Sequence, residues 1–238
     1  SPVLYDLTNG KRYVADISNP SLVKVLLEPS SVARKLLLVT LVSSFPKAVS
    51  TFETRNFVNY GIAANQGNYL IISHSAIMNG SGSTTPVENY RAYRSSAAGG
   101  SHNAKIYMID QLTDQFAFGI KQHPFSVRNF LRWARATYSN TIKNVFLIGR
   151  GLNYIHNRYY EADPNISKMS FVPTFGYPAS DNLLAADPGL DEIPRMPIGR
   201  LSVINGDEVA VYLEKVKQYE QQQAFSSPLI SDKKKKKN

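Results

Sequence analysis

The stretch VFLIGRGLNYIH, Val145 to His156, sets an apolar run against Gly149 and Gly151, with Arg150 between them. Glycines at the end of a strand let backbone approach a phosphate, and a dinucleotide site adds a third glycine and a helix amino terminus just beyond. Tyr154 stands where that third glycine belongs, and YIHNRYYEADPN reads as loop, so no nucleotide site is expected here. Ser73-His74-Ser75 closes one apolar run and Asp110 closes the next, which would allow a Ser–His–Asp set, although no G-x-S-x-G elbow accompanies them. Polar residues ending strands are the plainer reading. Asp181, Asp187, Asp191 and Glu192 could hold a hard cation through oxygens, without the spacing of a calcium loop. Arg150, Arg195 and Arg200 offer the same carboxylates ion pairs.

Other chemistries are excluded by composition. The chain has no cysteine, so these residues hold no disulfide, thiolate–metal site or sulfur nucleophile. His74, His102, His123 and His156 include no pair three to five apart, as a metal-binding helix would need. The formal charge is +9, but five of the 27 Lys and Arg form the run Lys233 to Lys237; the remaining 22 against 18 acidic residues leave only +4. That run has no interleaved aromatics for base stacking and reads as a solvated connector, so no nucleic-acid partner is expected. No apolar run approaches the roughly 20 residues of a membrane span. Ser1-Pro2-Val3 lacks the layout of a secretion signal, and the chain reads as an excised segment.

The 238 residues, 43% apolar, suffice for a full core. VLYDLT and KRYVAD flank Asn9-Gly10, which predicts a hairpin with a two-residue turn. LVKVLLEP and KLLLVTLV extend this β character. From Asn65-Gln66-Gly67 the pattern changes to short buried strands (YLIISH, AKIYMID, VFLIG, MPIGRLSV) alternating with helices. The helices are PVENYRAYRSS, then PFSVRNFLRWARATY, and a last one with Val209, Leu213 and Val216 in helical period after an Asn205/Glu208 cap. In the second, Val127, Phe130, Leu131, Ala134 and Tyr138 form the apolar stripe, and Arg128, Arg132 and Arg135 are expected to point away from it. The expected fold is α/β, a three-layer, mostly parallel sheet covered on both faces, preceded by a β-rich segment. The expected divisions are residues 1–58, 59–222 and a 223–238 connector. Residues 150–194 read as one long, aromatic-rich loop of the length that usually carries function.

Several segments together (QGNYLIISH, ENYRAYRSSAAGG, AKIYMIDQLTDQFAFGIKQHPFSVRNFLRWAR, FLIGRG, FVPTFGYPASDN and IGRLSV) resemble the gingipain-type cysteine peptidases, and among them the cell-surface sortase of the type IX secretion system. The resemblance implies a caspase-like α/β fold. It also implies a parent protein that removes carboxy-terminal sorting signals from exported cargo at the outer face of the outer membrane. The family's catalytic His and Cys lie in a second α/β half, after the helix corresponding to residues 206–220. The segment is therefore expected to hold no catalytic residue, and its expected partners are that catalytic half, the secretion machinery and cargo. In the family an Asp after the FLIG-type strand helps to hold calcium. Arg150 stands there in this chain, so no cofactor is expected: the guanidinium would oppose calcium at Asp187, Asp191 and Glu192, and pin the long loop through Asp181, Asp187 and Asp191. The competing reading is a self-contained surface module binding carbohydrate or protein through Tyr154, Tyr159, Tyr160, Phe171, Phe175 and Tyr177.

Overall fold

The computed structural model describes residues 2–40, 51–187, 189 and 191–225. The chain divides into two units, Ser1–Asn56 and Phe57–Asn238.

In the first unit, β1 (Pro2–Asp6), β2 (Lys11–Val14) and β3 (Leu36–Thr40) form an antiparallel sheet in the order β2-β1-β3. Asp6 pairs with Lys11, so the hairpin turn has four residues rather than the two expected from Asn9-Gly10. The cause is the Asp6 carboxylate, which accepts from the backbone N–H groups of Thr8 and Asn9, 3.0 Å each, and from the Asn9 amide at 2.8 Å. Gly10 alone takes positive φ, 65°, at the end of this wider loop. LVKVLLEP forms no strand: Lys24 makes an isolated bridge to Asp16, and Leu26 is 93% exposed. The end of KLLLVTLV, beyond Thr40, lies outside the described residues.

In the second unit, β4 (Tyr69–Ser73), β5 (Ala104–Met108), β6 (Asn144–Ile148) and β7 (Ile198–Leu201) make a parallel sheet in the order β5-β4-β6-β7. The α/β, parallel-sheet expectation is borne out. Every residue of β4 is buried, because both faces of the central strand are covered. The chain runs from β4 out to β5 and then back past β4 to β6. Right-handed crossovers consequently place α1 (Pro86–Ser95) and α3 (Phe125–Thr137) on opposite faces. α2 (Ile109–Phe116) and α6 (Asn182–Ala185) pack with α3, and α7 (Gly206–Phe225) packs with α1.

The core joins Leu70, Ile71 and Ile72 of β4, Leu147 and Ile148 of β6, and Val127, Phe130, Leu131 and Ala134 of α3. Arg128 departs from the expectation for α3. It is only 9% exposed, because the rings of Phe125 and Phe175 flank its guanidinium.

The stretch expected to be loop contains two further short helices, α4 (Tyr154–Tyr159) and α5 (Pro164–Met169), besides α6. Their starts follow from local chemistry. Asn153 Oδ1 accepts from the N–H of Ile155, Asp163 Oδ1 accepts from that of Asn165, and Pro164 opens α5 where its missing N–H costs nothing. The α7 cap forms as expected between Asn205 Oδ1 and the Glu208 N–H, 3.0 Å. Glu208 reaches back to the N–H of Ile204 rather than to that of Asn205.

Candidate functional site at the carboxyl edge of the sheet

Strand order reverses between β4 and β6, so the crevice outside their carboxyl ends is where an open α/β sheet presents ligands. The residues arriving there are Ser73 and His74 from β4, Asp110 after β5, and Gly149 to Gly151 after β6.

The glycine pair serves an arginine, not a phosphate. Parallel pairing sets Arg200 of β7 beside Leu147, two residues short of Gly149. From there its side chain extends along the strand end. Nη1 donates to the carbonyls of Gly149 (2.6 Å) and Val172 (2.8 Å), and Nη2 to that of Pro173 (3.0 Å). Nε and Nη2 also grip the Asp181 carboxylate in a fork, 2.8 Å each. All five guanidinium N–H donors are thus used, with the Arg200 side chain 11% exposed. A Cβ at Gly151 would lie 2.3 Å from the Val172 carbonyl oxygen and 3.0 Å from Arg200 Nη1, so only glycine admits this packing. Gly149, at φ 133°, likewise has no room for a side chain between Ile77 and Phe171.

The guanidinium that pins the loop is therefore Arg200 and not Arg150. Arg150 contributes backbone: its N–H donates to Val203 O at 2.9 Å, and its carbonyl accepts from Phe171 and Val172. Its side chain forms no ion pair with Asp181, Asp187, Asp191 or Glu192 among the described residues. Asp187 instead meets three other guanidiniums, Arg135 at 2.8 Å, Arg195 at 3.1 Å and Arg132 at 3.7 Å, and Asp191 binds Arg195 at 2.8 Å. Hydrogen bonding from Arg135, ahead of that from Arg195, holds the Asp187 carboxyl below its ordinary value. A calcium ion needs several oxygens free of competing cations. These aspartates already accept from guanidiniums, so the donor set does not fit the ion.

His74, Asp110, Thr113, Gln122, Asn157 and Ser170 line a cleft of about 640 Å3 at this edge. His74 Nδ1 accepts from the N–H of Ala76 at 3.1 Å, which leaves the proton on Nε2, and its ring meets the edge of Phe171 at 5.4 Å. Ser73 Oγ is fully buried with no hydrogen-bond partner, so it is not activated by His74 and the Ser–His–Asp set does not assemble. One wall is a network that the sequence does not disclose. Gln122 Nε2 donates to the Ser170 carbonyl, Ser170 Oγ to Gln122 Oε1, and Asn157 Nδ2 to Ser170 Oγ, at 2.7, 3.0 and 3.2 Å. These three residues come from separate segments, and no spacing rule joins them. Gln122 is also held at φ 58°, a conformation its residue type does not announce.

A parallel α/β core with its loops gathered at the carboxyl edge is common to many α/β proteins and is consistent with the caspase-like fold that the sequence resemblance implies. A family comparison supplies the rest: the model of peptidase family C25 matches residues 62–235. The chain belongs to that family, the gingipain family, as the sequence resemblance implied. Among solved structures, the crystal structure of dimeric latent PorU from Porphyromonas gingivalis matches with 19% identity and a TM-score of 0.45. The match covers 63% of this chain and 15% of that one. No curated protein matches the chain.

Proposed function

We propose that this chain is the structural, non-catalytic half of a cysteine peptidase. The observation that carries the reading is a contradiction within the chain: it belongs to a thiol peptidase family and contains no cysteine. Thiolate attack needs a sulfur and a nearby base, so the nucleophile comes from outside these residues. His74 is a poor substitute base, its Nδ1 being occupied by the Ala76 N–H.

In this reading the residues supply a parallel sheet for the catalytic half to join. They also supply a loop, fixed by Arg200, that walls one side of the substrate path. The sequence resemblance of segments such as QGNYLIISH, FLIGRG and FVPTFGYPASDN to the cell-surface sortase of the type IX secretion system supports a finer version. The parent protein would act at the cell surface, with exported proteins as substrates and secretion-system components as partners, and without calcium in this half. Among the described residues no helix is long and apolar enough to cross a membrane.

The test uses the 238-residue chain and the complete parent polypeptide, each incubated under reducing conditions with a peptide substrate and with an exported protein carrying its carboxy-terminal signal. The chain alone should leave both intact. The parent should cleave the exported protein and lose that activity to a thiol alkylating agent. Cleavage by the chain alone, or a parent indifferent to alkylation, would overturn the proposal.

A further inference from the structure

A second groove, of about 340 Å3, shares no lining residue with the cleft of His74 and has no part in the proposed function. Its walls include His123, Phe125, Tyr154, Ile155, Phe175 and Tyr177. The rings of Phe125 and Phe175 are inclined by only 27° with centroids 6.3 Å apart, and the His123 ring meets that of Tyr154 at 4.7 Å. Folding leaves much of this apolar surface in water: Ile155 is 71% exposed and Tyr177 91%. Large apolar side chains displayed together around a concavity mark a binding surface, whereas scattered ones do not. No carboxylate, ammonium or guanidinium lines the groove. Burial, and then the charge of Arg128, hold the His123 pKa below its ordinary value, so the imidazole is neutral at neutral pH.

The acceptors of this groove are already used. The carbonyls of His123 and Phe175 accept from the N–H groups of Ser126 (3.0 Å) and Ser180 (2.7 Å), and that of Gly176 accepts from the Asn153 amide. Asn153 Oδ1 accepts from the Ile155 N–H, and His123 Nδ1 from the N–H of Phe125. The side-chain donors are unused. With Nδ1 accepting, the neutral imidazole carries its proton on Nε2. Neither that N–H nor the hydroxyls of Tyr154 and Tyr177 meet a partner among the described residues. A complementary ligand brings apolar surface and carbonyl acceptors, no charge, and few donors that would need acceptors in return. An ordinary peptide brings one N–H with every carbonyl. Proline keeps the carbonyl, brings no N–H, and holds the chain in an extended helix whose ordering costs little. Aromatic-lined grooves are the general receptors for such segments.

We propose that this groove binds a proline-rich peptide segment in the polyproline II conformation. The pyrrolidine rings pack on Phe125, Phe175 and Tyr177, and the carbonyls accept from Tyr154, Tyr177 and His123 Nε2. The proposal is independent of the peptidase reading, since it rests only on the rings and on the balance of donors and acceptors around them.

The probe is N-acetyl-octaproline amide, titrated into the 238-residue chain while the ring resonances of His123, Tyr154 and Tyr177 are followed by NMR. A Gly-Ser peptide of equal length, which restores the N–H groups and the flexibility, and a neutral glucose tetramer, which carries a donor on every hydroxyl, are the comparators. Octaproline should shift those three rings and bind about ten-fold or more tightly than either comparator. Tyr154→Phe and Tyr177→Phe keep the rings and remove one donor each, and each should weaken octaproline about two- to ten-fold, the worth of one hydrogen bond. Tyr177→Ala, at an exposed position, should weaken it further than Tyr177→Phe. Octaproline bound no better than the Gly-Ser peptide, or less well than the sugar, would overturn the proposal. So would shifts that miss these three rings, or undiminished binding in both phenylalanine variants.

Discussion

Two arginine–carboxylate sites hold the segment between β6 and β7, and they use opposite arithmetic. At the first, one guanidinium serves five acceptors: Arg200 meets both oxygens of Asp181 and three backbone carbonyls, with the two side chains 11% and 22% exposed. At the second, one carboxylate serves three guanidiniums: Asp187 meets Arg132, Arg135 and Arg195, which are 49%, 38% and 31% exposed. The second has more charges and its guanidiniums have less shelter, although the Asp187 carboxylate itself is 16% exposed. Exposed pairs gain little because water and salt screen them, whereas a sheltered guanidinium with every donor used leaves several acceptors stranded when it is removed. Anchoring thus follows saturation of donors and burial, and the number of ion pairs is a poor guide to it.

The comparison is tested most severely at Arg200. Arg200→Met should destabilise the chain by about 3–5 kcal/mol, since it strands a carboxylate and three carbonyls. Urea unfolding followed by circular dichroism would measure this. Arg200→Lys should recover only a minor part, because an ammonium with three donors cannot meet acceptors arranged for a planar fork. If Asp187→Asn proved as costly as Arg200→Met, the distinction between the two sites would collapse. A smaller effect is expected at the glycine that admits the clamp. Gly151→Ala places a methyl 2.3 Å from the Val172 carbonyl oxygen and should cost about 1–3 kcal/mol through displacement of that carbonyl. Gly10→Ala provides the contrast in space: nothing lies within 4 Å of the added Cβ, so only the positive φ penalises it.

The sequence showed these sites unevenly, for physical reasons. β4, β6 and α3 were legible because burial on two faces or one stripe imposes a period on the residue types, as Leu70 to Ile72 and Val127 to Ala134 show. The carboxylate Asp181 was legible as an ion-pair partner, and Arg200 was one of three arginines offered to it, but the role of pinning the loop fell to Arg150. Arg150 lies next to the glycines in the chain, whereas Arg200 reaches them through the pairing register of β7 with β6, which no local pattern encodes. The hairpin turn failed for a related reason: Asn9-Gly10 predicts a tight turn until the Asp6 carboxylate, four residues before Gly10, captures the Thr8 and Asn9 N–H groups. The helical starts at Asn153 and Asp163 were missed, because the high Asn, Asp and Pro content around them reads as loop. Arg128 was placed off the apolar stripe on period alone, and one of the two rings that cover it, Phe175, is 47 positions away.

The least effect is expected at Asp187, and its pH dependence separates a tuned charge from an anchor. Hydrogen bonds from Arg135 and Arg195 keep its folded-state pKa below the ordinary value, so the folded chain binds that proton less readily than the unfolded one. Its contribution is therefore fully present above the unfolded-state pKa of about 3.9 and disappears as the pH falls through the lower folded-state value. Stability of the unaltered chain, plotted against pH, should slope down in this acid window. Asp187→Asn should flatten the slope there and lie below the unaltered chain at neutral pH. The two curves should converge once the carboxyl is protonated, where only the mutual repulsion of Arg132, Arg135 and Arg195 remains in both. Added salt should narrow the neutral-pH gap, as screening does for partly exposed charges, and should leave the cost of Arg200→Met nearly unchanged. A gap that persists in acid, or that salt does not touch, would mean that Asp187 holds the loop by packing and hydrogen bonding in the manner of Asp181.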